Sequence, residues 1–425
     1  MKMRPIVRGE LSVPGDKSIS HRAVLFASMA QGTSRVRGFL DADDTNRTIG
    51  MMQALGARIN RVSPEELCIE GSGLRGFSEP GDVIDAGNSG TTIRIGAGLL
   101  AAQPFFSVVT GDQYLRRRPM ARVIVPLSRM GASIRGRDGD RFPPLCIQGG
   151  ALKGIRYEMP SASAQVKSAL LLAGLYSDSP VTVVEPLPSR DHTERMLGAM
   201  GADIEVNGAE VTSAPVMRLL PVDQIVPGDI SSAAFFMVLA AVTNGSELVI
   251  RNTGVNPRRT GVVEVLRRMG AKIVFQNERM ENGEPVADIV VRGCDLLAAT
   301  ILPEEVPSLI DEIPVLCIAA AFASGRTEIR GAEELRVKES DRISAMIANL
   351  TAIGVSCGEY DDGLWVEGTS SFTKGAFCRS MGDHRIAMSM LVFQKASGTE
   401  IVLDDAACID ISFPKFRLTL EGLKT

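Results

Sequence analysis

The 425-residue chain sets 46 Lys and Arg against 50 Asp and Glu, a formal charge of −4, so no overall field recruits nucleic acid or an anionic membrane. Aromatic residues make up only 5%, too few for base-stacking platforms, while the length suits two or three domains with substantial cores. Seven scattered cysteines without a CxxC pair, no apolar signal core in MKMRPIVRGE and no 18-residue apolar run argue against disulfides, zinc and membrane spans, and predict a cytoplasmic protein.

In chain order, the first informative stretch is Pro14-Gly15-Asp16-Lys17-Ser18-Ile19-Ser20-His21-Arg22, followed by an apolar run over residues 23–30. A helix beginning near Ser18 puts Ser18 and Arg22 one turn apart, with Lys17 and His21 spaced likewise. Free N–H groups, a hydroxyl and two cations at such a start suit a phosphate or carboxylate. The glycine spacing of a Walker loop is missing. Gly87-Asn88-Ser89-Gly90-Thr91-Thr92-Ile93-Arg94 then precedes an apolar helix, its glycines allowing close backbone approach to an anion. In Tyr114-Leu115-Arg116-Arg117-Arg118-Pro119-Met120, Pro119 fits the first helical position, which predicts that Arg118 and Arg122 share a face. The three arginines also suit a solvated surface or a nucleic-acid patch.

Ser161-Ala162-Ser163-Ala164-Gln165-Val166-Lys167 opens the next apolar helix: Ser163 can cap, Gln165 can reach a hydroxyl or phosphate, and Lys167 lies one turn above Ser163. Ser189-Arg190-Asp191-His192-Thr193-Glu194 opens another, explicable as capping alone. Asp311-Glu312 precedes an apolar helix over 315–322. On a helix through Arg336-Val337-Lys338-Glu339-Ser340-Asp341-Arg342, Lys338 and Arg342 share a face with Glu339 beside Lys338. Gly382-Asp383-His384-Arg385 completes the series. His21, His192 and His384 each lie within two residues of an arginine, which disfavours metal ligation.

Internal repetition organises these clusters. Gln53-Ala54-Leu55-Gly56-Ala57-Arg58-Ile59 returns around Gly131, Gly201 and Gly270 and, more loosely, around Gly354. A period of about 70 residues predicts six units, the last truncated after Phe413. Each reads as helix, strand, helix closed by a left-handed glycine, and hairpin, cyclically equivalent to βαβαββ. Helices as apolar as residues 233–241 call for burial on nearly all sides. The expected class is therefore α/β: two inside-out globules of three units each, helices inside and sheets outside. Val13-Pro14-Gly15-Asp16 and Val226-Pro227-Gly228-Asp229 resemble paired crossovers. They predict globules of residues 15–227 and of 1–14 plus 228–425, with the cleft between them as the default ligand site. A solenoid of stacked units is the competing arrangement, and the twin crossovers count against it.

Lys17, Arg22, Arg94, Arg118, Lys338, Arg342 and Arg385 all fall at expected helix starts. That repetition points to recognition of small polyanions carrying phosphate and carboxylate, with Asp311 and Glu339 available for proton transfer.

With these motifs in this order, the chain resembles the 5-enolpyruvylshikimate-3-phosphate (EPSP) synthase family over essentially its whole length. The stretches 15–22, 87–94, 118–120, 163–165, 336–342 and 383–385 carry the resemblance, and residues 163–167 and 190–194 resemble the bacterial class II subgroup. Residues 256–259, Asn-Pro-Arg-Arg, depart from the Asn-x-Thr-Arg of that subgroup. Ile411 also stands where the other subgroup has a lysine before Ser/Thr-Phe-Pro, leaving Lys415 or Lys167 as the substitute cation. The resemblance implies transfer of an enolpyruvyl group from phosphoenolpyruvate to the 5-hydroxyl of shikimate 3-phosphate by addition and elimination, without cofactor or metal, in a monomer that closes on its substrates. It also implies that Lys17, Ser18, Arg22, Ser163, Gln165, Asp311 and Lys338 hold shikimate 3-phosphate. Lys17, Gly90, Arg118, Gln165, Arg342 and Arg385 would hold phosphoenolpyruvate. Asp311 is the implied base, and Glu339 and Lys17 the candidates for protonating the methylene.

Two readings compete. The sister enzyme acting on UDP-N-acetylglucosamine shares fold and donor but usually carries a reactive cysteine in the loop that here spans 111–120 without one. A non-catalytic anion-binding repeat module requires Asp311 and Glu339 to be dispensable.

Overall fold

The repeated glycines end helices because each takes a backbone that a Cβ disfavours: φ is 96° at Gly56, 105° at Gly131, 84° at Gly201, 104° at Gly270 and 86° at Gly354. The chain turns there into a strand, so one residue type sets the same corner five times.

The structure, a computed structural model, describes residues 5–423. The chain forms two compact units. The N-terminal unit is Gly15–Val226 with Glu281–Glu284; the C-terminal unit comprises the segment up to Pro14, Pro227–Met280 and the segment from Pro285 onward. Glu281–Glu284 thus group with the N-terminal unit, although the chain on either side belongs to the C-terminal one. These residues turn the hairpin Lys272–Glu281 and Glu284–Arg292, whose ten- and nine-residue strands outreach the other repeats' hairpins; the repeat pattern does not encode that extra length.

Each full repeat builds a four-stranded sheet. In the N-terminal unit, Ile84–Asp85 runs parallel to Phe106–Thr110, which pairs antiparallel with Phe142–Gln148, and Ser133–Gly136 closes the edge. Arg156–Glu158, Val181–Val184, Glu210–Ser213 and Ile204–Asn207 repeat this order. In the first repeat the parallel strand Gln224–Ile225 comes from the unit's far end and joins Gln31–Arg37. In the C-terminal unit Arg8–Ser12 fills that role beside Glu247–Gly254. The final repeat keeps only Ala376–Cys378 and Ile401–Leu403. Beyond it, Phe413 and Phe416 pack on the helix Ile230–Ala241, with Phe416 5.6 Å from Phe235 and Phe413 6.1 Å from Phe236 between ring centroids.

The helices lie inside. Every residue of Ile230–Ala241 and of Ile313–Phe322 is buried, and each fully buried Phe, Leu or Val contributes roughly 1.5–3 kcal/mol. In the N-terminal unit, Gly90–Ala101 packs against Ala164–Gly174 so closely that a Cβ on Gly98 would stand 2.1 Å from the Ala169 carbonyl oxygen. No helix among the described residues is long and apolar enough to cross a membrane.

Candidate active site

In the N-terminal unit three buried helices bring their N-termini to one end. Lys17–Met29 is capped by Asp16, whose carboxylate accepts from the Ile19 amide at 2.9 Å. Ser89 caps Gly90–Ala101, and Ser163 caps Ala164–Gly174. Side chains tie these starts together. His21 Nδ1 lies 2.7 Å from Thr48 Oγ1, itself 2.7 Å from Thr92 Oγ1. Arg22 donates to Thr193 Oγ1, Ser168 Oγ and the Ser18 carbonyl at 2.7, 2.8 and 2.9 Å. Arg94 donates to Gln165 Oε1 at 2.8 Å, and Gln165 Nε2 donates to Thr91 Oγ1 at 3.0 Å. Three aligned helix dipoles therefore reinforce Lys17, Arg22, Arg94 and Arg118 at this end.

Burial decides which of these groups titrate. Burial first, then Lys17 and Arg22, hold the His21 imidazole well below its usual pKa, so the ring is a neutral hydrogen-bonding spacer. Burial brings Arg22 down to about 10, with Glu194 opposing, and the guanidinium stays charged at neutral pH. Lys17 Nζ rests 3.1 Å from Asp44 Oδ2, and Arg190 Nη1 reaches Ser18 Oγ at 3.5 Å.

Of the arginine triplet only Arg118 is buried; Arg116 and Arg117 are exposed. Arg118 donates to the Asn88 carbonyl at 3.4 Å and lies against Gly90, where an added Cβ would stand 3.0 Å from one guanidinium nitrogen of Arg118 and one of Arg94. The expected shared helical face of Arg118 and Arg122 is corrected: the helix starts only at Ala121, and Arg118 is extended. The turn Leu115–Arg117 ends at Arg118 and aims it at the Gly90 helix start instead. Lys167 is likewise removed as a substitute cation. It is fully buried, 2.7 Å from both Glu185 and Glu194, so its charge is already matched. Lys415 is exposed at the start of Phe416–Gly422.

In the C-terminal unit Ile230–Ala241, Ile313–Phe322 and His384–Ser397 likewise converge by their N-termini, and Arg342 starts a fourth helix, Arg342–Ala352. Arg342, 1% exposed, lies 2.7 Å from Glu339, 2.8 Å from Asp383 and 3.2 Å from Asp311. Burial pulls its pKa down, but Asp383, Glu339 and Asp311 outweigh that and raise it. Burial similarly pushes the Asp383 carboxyl up, while Arg342 outweighs it and holds Asp383 below the ordinary carboxylate value. Asp311 also faces Lys338 at 3.6 Å and Arg385 at 4.0 Å, and its carbonyl accepts from Arg385 Nη1 at 2.9 Å.

Lys338 is not helical, contrary to the expected helix through 336–342. The segment is a 3₁₀ turn, Glu333–Val337, followed by extended Lys338, because Asp341 caps the helix start by accepting from the Ser344 amide. Lys338 and Arg342 still meet, through Asp311. Arg336 is taken up by Asp341 and Glu359, both at 3.1 Å.

The structure thus gathers Lys17, Ser18, Arg22, Gly90, Arg118, Ser163 and Gln165 in one unit, and Asp311, Lys338, Glu339, Arg342 and Arg385 in the other. Sequence reasoning gave no role to Thr48, Thr92, Ser168, Thr193, Asp44 or Arg259; ordinary polar residues carry no local motif. It also did not foresee that Asp191, His192 and Glu284 gather ligand atoms within 4.8 Å of one another. Asp191 pairs with Arg195 and His192 with Glu284, which accounts for the cluster as ion pairing.

Comparison with known proteins adds three findings. A family model described as EPSP synthase (3-phosphoshikimate 1-carboxyvinyltransferase) matches residues 2–420. The 3-phosphoshikimate 1-carboxyvinyltransferase of Geobacter metallireducens is 54% identical over 415 residues, 98% of this chain and 96% of that protein; that of Syntrophomonas wolfei is 50% identical over 414 residues, 97% and 96%. Among solved structures, an EPSP synthase from Acinetobacter baumannii superposes with TM-score 0.87 at 43% identity, covering 100% of this chain and 97% of that one. The enolpyruvyl transferase NikO from Streptomyces tendae, at 18% identity and TM-score 0.79 over 99% of this chain and 95% of that one, shares the fold.

Proposed function

Since the chain belongs to the EPSP synthase family, we propose how its two clusters of helix ends divide the work of that reaction. The enzyme transfers the enolpyruvyl group of phosphoenolpyruvate to the 5-hydroxyl of shikimate 3-phosphate, giving 5-enolpyruvylshikimate 3-phosphate and phosphate. The UDP-N-acetylglucosamine alternative and the non-catalytic module give way to it.

In our reading, Lys17, Ser18, Arg22, Ser163 and Gln165, with Asp311 and Lys338, hold shikimate 3-phosphate. Lys17, Gly90, Arg118 and Gln165, with Arg342 and Arg385, hold phosphoenolpyruvate. One observation carries the donor half: the Gly90 helix start, with its free amides, faces the guanidinium groups of Arg118 and Arg94. Amides, dipole and two planar cations together match a phosphate or carboxylate.

Asp311 takes the proton of the 5-hydroxyl as oxygen bonds to C2 of phosphoenolpyruvate, and Glu339 or Lys17 delivers a proton to C3. Loss of a C3 proton then expels phosphate and restores the double bond. The cations fix Asp311 and oppose the charge gathering on the phosphate. The reading keeps the protein a cytoplasmic monomer acting on two small anions, with no nucleic acid, membrane, metal or cofactor taking part.

Phosphate release measured with shikimate 3-phosphate and with UDP-N-acetylglucosamine as acceptors tests it. Turnover is expected with the first alone, and turnover with only the second would sink it. Gly90→Ala supplies a sharper check. Its methyl group displaces the Arg118 and Arg94 guanidiniums, so KM for phosphoenolpyruvate is expected to rise about tenfold or more, since small displacements at a site are costly. KM for shikimate 3-phosphate should stay within about twofold. Equal increases in both constants would remove Gly90 from the donor site.

A further inference from the structure

Beside Asp311 stands a carboxylate with no part in the scheme above. Glu312 is 1% exposed, and one of its oxygens, Oε2, has no hydrogen-bond partner among the described residues. Buried carboxylates are costly unless fully paired, so packing alone does not explain this one. Its other oxygen is committed in two directions. Ser231 Oγ donates to Glu312 Oε1, and Arg385 Nη1 stands 3.7 Å from that same oxygen.

The far side of Ser231 is fixed as well. Its hydroxyl accepts from Arg259 Nη2 at 2.8 Å, and its amide donates to Asp229 Oδ1 at 2.8 Å. Arg259 Nη2 reaches Asp229 Oδ1 at 3.2 Å. All of these groups are buried. The result is a rigid polar chain from the cap of Ile230–Ala241, through Ser231 and Glu312, to the guanidinium of Arg385. Arg385 Nη1 also donates to the Asp311 carbonyl at 2.9 Å. That nitrogen is therefore held between a backbone oxygen and a buried negative charge, which leaves the rest of the planar guanidinium aimed in one direction.

We propose that Glu312 is a positioning residue: through Oε1, braced by Ser231 and Arg259, it sets the orientation of Arg385 for binding the donor substrate. The inference rests on the reading of Arg385 as a phosphoenolpyruvate ligand. An anion-binding arginine on a helix start has several rotamers, and freezing one of them before the substrate arrives spares ordering at the moment of binding. A charged anchor buried beneath the site does this at a point the substrate does not touch.

The test is steady-state kinetics on Glu312→Gln, Ser231→Ala, their double variant and Arg385→Gln, with thermal melts of each. Glu312→Gln keeps the shape and the Ser231 contact but removes the charge. It is expected to raise KM for phosphoenolpyruvate about tenfold while KM for shikimate 3-phosphate stays within about twofold. Ser231→Ala should shift the same constant in the same direction by about threefold. The double variant should be no worse than Glu312→Gln alone, because both act along one chain. An unchanged KM for phosphoenolpyruvate in folded Glu312→Gln overturns the proposal, as does a lowered melting temperature with every KM intact. Should Glu312→Gln not fold, Ser231→Ala alone decides. Arg385→Gln separates the two levels: if that variant keeps its donor KM, the assignment of Arg385 fails. If it loses donor affinity while Glu312→Gln does not, only the positioning role fails.

Discussion

Lys17→Met is expected to cut kcat/KM for the transfer reaction about 10³-fold, the order seen when a charge-stabilising donor is removed from a preorganised site, or about 4 kcal/mol of transition-state stabilisation. Lys17 heads a buried helix at the end where Arg22, Arg94 and Arg118 also lie, so its ammonium adds to an existing positive field. In our reading it contacts both substrates and is one of two candidates for handing a proton to the methylene. Among the described residues its ion-pair partner is Asp44, at 3.1 Å, in a pair with 18% and 11% side-chain exposure. Pairs near the surface contribute about 1 kcal/mol or less, so the fold should survive. Melting curves within a few degrees of wild type together with lost turnover would satisfy the expectation. Wild-type-like turnover would take Lys17 out of the mechanism.

For Arg342→Met the expected loss is first of stability, about 3–5 kcal/mol, because one buried cation serves Asp383, Glu339 and Asp311 and its removal strands them. Urea midpoints at pH 7.5 measure this directly. The dependence on pH has a definite sign. In the wild type the folded-state pKa of Asp383 lies below its unfolded value because Arg342 outweighs burial. The stability so gained is fully present above the ordinary carboxylate pKa of about 4 and is lost as pH falls through the lower folded value. In the variant, burial and Glu339 act on Asp383 unopposed by Arg342, so its folded pKa rises and proton uptake favours the folded state. The stability gap between wild type and variant should therefore narrow from pH 7.5 toward pH 4.5. A gap that stays constant would mean that Arg342 acts through packing and not through charge.

Much of the architecture was legible because its signals are local and repeated. A glycine after each second helix, helices without a polar face and alternating strands are each readable within a dozen residues, and the six-unit α/β arrangement follows from them. The site was legible as a set of helix starts, since Lys17, Gly90, Gln165, Arg342 and Arg385 each follow or form a capped N-terminus. What failed was local conformation between signals. The sequence reads Lys338 as helical and Arg118 as the start of a helix, yet a competing Asp cap at 341 and a helix start delayed to Ala121 leave both extended and outside any α-helix. Charge matching over distance was invisible too: nothing near Lys167 in sequence announces Glu185 and Glu194, which remove it from the pool of free cations. Glu312 was visible only as a neighbour of Asp311, since its partner Ser231, and the Arg259 that braces Ser231, lie more than 50 positions away.

The long hairpin of Lys272–Glu281 and Glu284–Arg292 has a consequence for how such a protein can diversify. Its extra length brings buried Glu284 within 2.7 Å of His192, at a helix start of the N-terminal unit beside Thr193, the acceptor of the Arg22 guanidinium. The turn is thereby held by a contact outside its own sheet. A lineage that lengthens this ribbon or alters the charge at its tip must re-match the buried imidazole it serves, so here drift in an outer loop is answerable to the interior.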